Sequence, residues 1–264
     1  MQIPFYQVDA FTDHLFGGNP AGVCPLDKWI PDEKMQLIAA ENNLSETAFF
    51  VSENEGFRIR WFTPKVEVDL CGHATLASGH VIFNHLNHPG NMINFESRSG
   101  RLLVRNDKNY ITLDFPTASF TQVEPPEIIT RALGIKPSEV YFSIDYMVLL
   151  GSEKDVAELK PDFQLLSQLE TRGVIVTAKG RDVDFVSRFF APAVGINEDP
   201  VTGSAHTILT PYWSKKLNKT ELTAHQLSER KGKLICKHLG DRVEISGKAV
   251  TYLTGTIYLE ILES

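Results

Sequence analysis

The chain has 264 residues, 42% of them hydrophobic, and carries 26 basic against 33 acidic residues for a net charge of -7. That is enough apolar material for one large core or two ordinary ones, and the scattered acidic balance offers no cationic face to nucleic acid or anionic lipid. Cys24, Cys71 and Cys236 lack a CxxC spacing, which argues against a disulfide framework or a thiolate zinc site, and no apolar run approaches the ~20 residues of a membrane span.

The start, Met1-Gln2-Ile3-Pro4-Phe5, lacks the basic and apolar blocks of a signal peptide. These features point to a cytoplasmic protein acting on a small molecule, with neither nucleic acid nor membrane among its partners.

In chain order, Gly17 to Gly22 reads as a turn leading into a strand. Val23 stands where a phosphate-binding loop would need lysine. Thr47-Ala48-Phe49-Phe50-Val51 is a wholly apolar strand, and Arg60-Trp61-Phe62-Thr63-Pro64 is a second strand stopped by proline. From Gly72 to Leu86 a helix with almost no polar face predicts burial on most sides, as if wrapped by its own sheet. Phe95 to Leu113 then reads as a hairpin turning at Gly100. His80, His85 and His88 form no recognised ligand set, so no metal site is expected.

The same series then returns. Gly173-Val174-Ile175-Val176-Thr177 echoes the first strand. Arg188-Phe189-Phe190-Ala191-Pro192 echoes the second at an offset of 128 from Arg60. Gly203-Ser204-Ala205-His206 repeats Gly72-His73-Ala74-Thr75 at an offset of 131, and Leu227 to Ile245 matches Phe95 to Leu113 at 132 without a gap. Four blocks in register imply one α+β unit written twice. The expected organisation is an N-terminal lobe over 1–116 and a C-terminal lobe over 117–264, with the last strand able to return to the first lobe. The second helix, Ser204 to Leu217, contains Pro211, which should kink or restart it.

Both helices begin straight after a loop, at Gly72 and Gly203. A helix start offers unpaired amides and about half a positive charge, so two such starts facing a cleft on a pseudo-twofold axis would seat a carboxylate-sized anion. Turn and cap duties are the ordinary alternative for both glycines.

Polar residues that the halves do not share are the stronger functional candidates. Glu46 stands before Thr47, where the second half has Arg172-Gly173. A carboxylate set against apolar neighbours has its charged form penalised, which suits a group that both takes and returns a proton. A capping box opened by Asn43 is the alternative for Glu46, yet no helical pattern follows. Asp199, in Glu198-Asp199-Pro200-Val201-Thr202-Gly203-Ser204, could orient a substrate amine or hydroxyl, while His73 and Ser204 sit at the two helix starts.

Gly18-Asn19-Pro20-Ala21-Gly22-Val23, Leu44-Ser45-Glu46-Thr47-Ala48-Phe49, Arg60-Trp61-Phe62-Thr63-Pro64, Leu70-Cys71-Gly72-His73-Ala74-Thr75-Leu76-Ala77 and Glu198-Asp199-Pro200-Val201-Thr202-Gly203-Ser204-Ala205-His206 together resemble the phenazine biosynthesis PhzF-like family along essentially the whole chain. The resemblance implies a diaminopimelate-epimerase-like fold: two pseudo-symmetric lobes, each a mixed β-sheet or barrel wrapped around a central helix. It implies a cofactor-independent isomerase, usually a homodimer, in which a glutamate moves a proton between carbons of a small carboxylic acid. Carried over, Glu46 is the acid/base, His73, Asp199 and Ser204 are its polar partners, Gly72 and Gly203 supply amides, and Asn19 contacts substrate.

A related branch of this fold racemises amino acids with two opposed cysteines. Cys71 precedes Gly72, but Thr202 precedes Gly203, and a threonine hydroxyl is too weak an acid to replace a thiol. Two readings compete with the isomerase: a hydrolase with Ser204, His73 or His206 and Asp199, and a binding or regulatory protein that keeps the cleft without turnover. The hydrolase lacks a G-x-S-x-G elbow.

Overall fold

The computed structural model describes residues 1–53 and 56–260. The described chain is mixed α/β, mostly strand, with six α-helices. Its contacts divide it into two units: Met1–Asp114 together with the chain from Ser246 onward, and Phe115–Ile245. Residues 246–260 therefore lie with the first unit.

The first unit runs β1 (Gln2–Ala10), β2 (Asn19–Leu26), α1 (Asp32–Asn42), β3 (Glu46–Glu53), β4 (Gly56–Phe62), β5 (Glu67–Val68), α2 (Gly72–Asn84), β6 (Met92–Ser97) and β7 (Gly100–Asp107). After β8 (Tyr110–Pro116) the second unit contains β9 (Thr121–Gln122), α3 (Glu127–Leu133), β10 (Glu139–Phe142), β11 (Tyr146–Leu149), α4 (Glu153–Ala157), α5 (Phe163–Leu166), β12 (Val174–Lys179) and β13 (Phe185–Ala191). It continues through β14 (Ile196–Asp199), α6 (Gly203–Leu217), β15 (Glu221–Gln226), β16 (Gly232–His238) and β17 (Arg242–Gly247). Finally β18 (Ala249–Tyr258) lies antiparallel to β1.

The duplication survives as strand pairing. In the first unit β2 and β3 are parallel, β3 and β4 antiparallel, β4 and β6 parallel, and β6 and β7 antiparallel. In the second, β11 with β12, β12 with β13, β13 with β15 and β15 with β16 follow the same four relations in the same order. Even an interior ion pair is repeated. Arg60 Nε and Nη2 grip Glu67 at 2.7 and 2.8 Å, and Arg188 Nε and Nη2 grip Glu198 at the same two distances.

Thr47–Val51 and Val174–Ala178 are buried throughout because both faces of each strand are covered. Phe49 and Val51 join Met35 and Ile38 of α1 in one cluster, while α2 also packs on β3. Val174, Val176 and Ala178 join Ile129 and Leu133 of α3, while Thr177 accepts a hydrogen bond from Trp213 Nε1 of α6 at 3.0 Å.

The α2 helix explains its own composition. From His73 to Gly79 every side is buried, and the helix packs on β1, β2, β3, β7 and β18. A Cβ on Gly79 would lie 2.9 Å from Val104 Cγ1, so glycine is what lets β7 approach this closely. Pro211 lies inside α6, which is continuous from Gly203 to Leu217, so the helix does not restart there. Proline cannot donate to the carbonyl four residues earlier, on Thr207, but the Ala118 amide does so at 3.3 Å. The two hairpin turns also differ. Gly100 takes φ +94° in the first, whereas Lys231 rather than Gly232 is left-handed in the second.

Candidate active site

Glu46 is the first residue of β3, and Asn43 does not open a helix before it. Asn43 closes α1 in the left-handed conformation at φ 49°, its amide donating to the Ala39 carbonyl. The capping-box alternative is thereby removed, and Glu46 is left at the head of a buried strand. His73 is the second residue of α2, behind Cys71 as the extended N-cap, which makes no side-chain capping bond. Glu46 Oε2 lies 3.2 Å from His73 Nε2, with the two side chains only 13% and 6% exposed.

The other edge of the imidazole is equally occupied. Asn19 Nδ2 is 3.2 Å and Cys71 Sγ 3.5 Å from His73 Nδ1. Asn19, the first residue of β2, is fully buried against this ring. Cys71 is buried and packs on the imidazole.

Burial opposes charging His73, and the adjacent Cys71 and Glu46 overcome that opposition, so its pKa is raised well above the usual imidazole value. Burial, helped by the Glu46 charge, pushes the Cys71 thiol up to about 11, where it stays protonated at neutral pH. The imidazole thus favours its charged form beside Glu46.

Glu46, Cys71 and His73 each offer a metal-ligating atom, all within 4.8 Å of one another. The imidazole stands between the other two and turns Nε2 to Glu46 and Nδ1 to Cys71. No single imidazole nitrogen therefore faces both of the other donors.

In the second unit Ser204 is the second residue of α6, in the place that His73 takes in α2. Its Oγ accepts a hydrogen bond from Arg172 Nη2 at 2.9 Å. Arg172 precedes β12 as Glu46 heads β3, so the duplication preserves the contact while exchanging the groups that make it. Arg172 is itself held by the fully buried Asp145, with Nε to Oδ1 at 3.0 Å and a second bond from Nη2 to Oδ2.

Asp199 ends β14 and accepts a hydrogen bond from the Thr202 hydroxyl. Gln226 binds around them, accepting from the Thr202 amide at 2.9 Å and donating to the Asp199 carbonyl at 2.8 Å. Thr202 is therefore engaged in shaping the α6 start, the position where a racemase would present its second thiol.

This geometry disfavours the hydrolase. The partner of Ser204 Oγ is a guanidinium, which has no lone pair to accept a proton. His206 turns away to the Thr202 carbonyl, 2.8 Å from Nδ1, and packs on the Phe185 ring. His80 and His85 share the Thr251 hydroxyl, at 2.9 and 2.8 Å, and His85 caps α2.

The structure thus gathers Glu46, His73 and Asn19 beside Gly72 in one unit, and Asp199, Gly203 and Ser204 in the other. The sequence reading overlooked Arg172 and Asp145. Arg172 was visible as the residue opposite Glu46 in the duplication, whereas nothing local marks Asp145.

Residues 8–255 match the model of the phenazine biosynthesis-like protein family. The chain belongs to the PhzF family. Two uncharacterized isomerases of Pseudomonas aeruginosa are 52% and 54% identical to it, each alignment covering 98% of this chain and all of the relative. A crystal structure of a PhzF-family phenazine biosynthesis protein from Enterococcus faecalis superposes with a TM-score of 0.96 at 48% identity, over 98% of this chain and 100% of the other.

Beyond the PhzF family the likeness is one of fold. A hydroxyproline epimerase from Agrobacterium vitis reaches a TM-score of 0.61 at 8% identity, covering 97% of this chain and 92% of its own. Among the described residues no helix is long and apolar enough to cross a membrane.

Proposed function

We propose that this PhzF-family protein is a cofactor-independent isomerase that relocates a proton between carbons of a small carboxylic acid, with Glu46 as the group that takes and returns it. The observation that carries this reading is the 3.2 Å contact between Glu46 and His73 at the head of a buried strand. The Glu46 carboxylate would accept the substrate proton, and the imidazolium beside it would offset its charge between transfers. Asn19 fixes the ring, and the Cys71 thiol stays a spectator in its protonated form.

The catalytic set would be Glu46 and His73 with Asp199 and Ser204. The starts of α2 and α6 have no side-chain cap, so amides at Gly72 and Gly203 are available to a substrate carboxylate. The diaminopimelate-epimerase-like arrangement of two related lobes belongs to this same reading.

The test is a panel of unsaturated small carboxylic acids incubated with the protein in deuterium oxide and followed by NMR. A substrate should gain deuterium at the carbon that accepts the proton, and Glu46→Gln should abolish the exchange while leaving ligand binding largely intact. Full turnover by Glu46→Gln would remove the mechanism.

A further inference from the structure

We infer that Arg172 is the residue of the second unit that recognises a carboxylate of the substrate, together with the hydroxyl of Ser204. The inference rests on the isomerase reading only in taking the substrate to be a carboxylic acid. Arg172 occupies the position that Glu46 holds in the first unit, and it touches the second residue of α6 as Glu46 touches the second residue of α2. One copy of the ancestral site carries a base there and the other a permanent cation.

The guanidinium is immobilised before any ligand arrives. Its Nε and Nη2 donate to the buried Asp145 carboxylate, Nη2 also reaches Ser204, and the group lies over the Phe189 ring at 5.3 Å from its centroid. Nη1 has no hydrogen-bond partner among the described residues, and the side chain remains 35% exposed. A residue present only to neutralise Asp145 would have no need of that accessible edge.

Ser204 adds the second donor. Because Arg172 can only donate, Ser204 Oγ is the acceptor in their bond, and the hydroxyl proton must be given to something else. Among the described residues nothing accepts it. Two fixed donors, Arg172 Nη1 and the Ser204 hydroxyl, are thus left to an incoming group with two acceptor oxygens and no proton to give. A carboxylate meets that description and a neutral amide does not. Asp145 offsets the charge of Arg172, so selection comes from the placement of donors rather than from net attraction.

The test compares benzoate with its neutral isostere benzamide, titrated into the full chain and read by calorimetry and by the Ser204 amide resonance. Benzoate should bind at least tenfold more tightly than benzamide. Arg172→Gln alone would strand the buried Asp145, so the informative variant is the pair Arg172→Gln with Asp145→Asn, which should lose the preference with an unchanged melting temperature. Arg172→Lys, which keeps the charge without the planar fork, should lose most of it. A preference that survives in the paired variant, or no benzoate binding at millimolar concentration, would overturn the assignment. Deuterium exchange by Glu46→Gln reports on the isomerase reading alone, so the two ideas fail separately.

Discussion

Glu46 Oε2 and His73 Nε2 stand 3.2 Å apart, the one at the first residue of β3 and the other one residue inside α2. A sequence gap of 27 positions is closed because β3 and the start of α2 meet at the same end of the first unit. Together with the adjacent Cys71, the contact favours the charged imidazole, and its consequences can be measured.

The sign of the pH effect follows from the raised pKa of His73. Above the ~6.5 of an unfolded imidazole, the unfolded chain releases its proton while the folded ring keeps it. The stabilising contribution is therefore complete below that value and is lost as pH climbs through the folded pKa. The His73 ring carbon resonance should remain in its charged form at neutral pH, and Glu46→Gln should move the midpoint down. An unchanged midpoint in that variant would mean the carboxylate does not hold the proton.

His206 should act in the opposite direction. Burial lowers its pKa to about 4, with its bond to the Thr202 carbonyl working against the shift. Between ~6.5 and that value the unfolded chain binds a proton that the folded chain refuses, so stability falls on acidification. Urea midpoints should decline from pH 6.5 toward pH 4, and His206→Gln should flatten that slope. A slope as steep in the variant as in the parent would assign the acid sensitivity to other groups.

The repeated arginine pairs should not be equally important. Arg60 shares Glu67 with Arg98, which lies 2.7 Å from Oε2, so Arg60→Ala leaves the carboxylate a cation. Arg188 holds Glu198 and also donates to the carbonyls of Val156 and Leu159, all of which its removal would strand. Arg188→Ala should destabilise by ~3 kcal/mol and Arg60→Ala by roughly half as much, read from urea unfolding. Equal losses would show that the second cation at Glu67 contributes nothing.

Gly79→Ala tests how tightly the α2 helix is enclosed. In an exposed helix the change would add about 1 kcal/mol of stability. Here the new methyl meets Val104 Cγ1 at 2.9 Å and Ile111 Cγ2 at 3.4 Å. Overpacking should win, giving a net loss of ~1–2 kcal/mol by thermal or urea unfolding. A stabilised variant would mean β7 can yield without cost.

Much of this was readable from the chain because duplication leaves a pattern in the order of residues. The apolar runs at Thr47 and Gly173, the helix from Gly72, and the candidacy of Glu46 all follow from comparing the two copies. Where the local signal left two readings open, a distant group decided between them. Pro211 does not break α6 because the Ala118 amide supplies the missing donor. Asn43 ends a helix instead of beginning one, since the weakly patterned segment Asp32–Asn42 becomes helical by docking Met35 and Ile38 into the core of β3.

By itself the sequence determined that there are two copies of one unit and which of their polar residues differ. Periodicity and self-similarity are properties of neighbours along the chain, and they need no coordinates. Which side chains share protons was decided only by the tertiary structure. Glu46 and Asn19 reach His73 from two other places in the chain, and Ser204 is a hydrogen-bond acceptor because Asp145 holds Arg172 against it. Electrostatic and hydrogen-bond energies depend on distances of a few ångströms through space, and those distances exist only once the chain has folded.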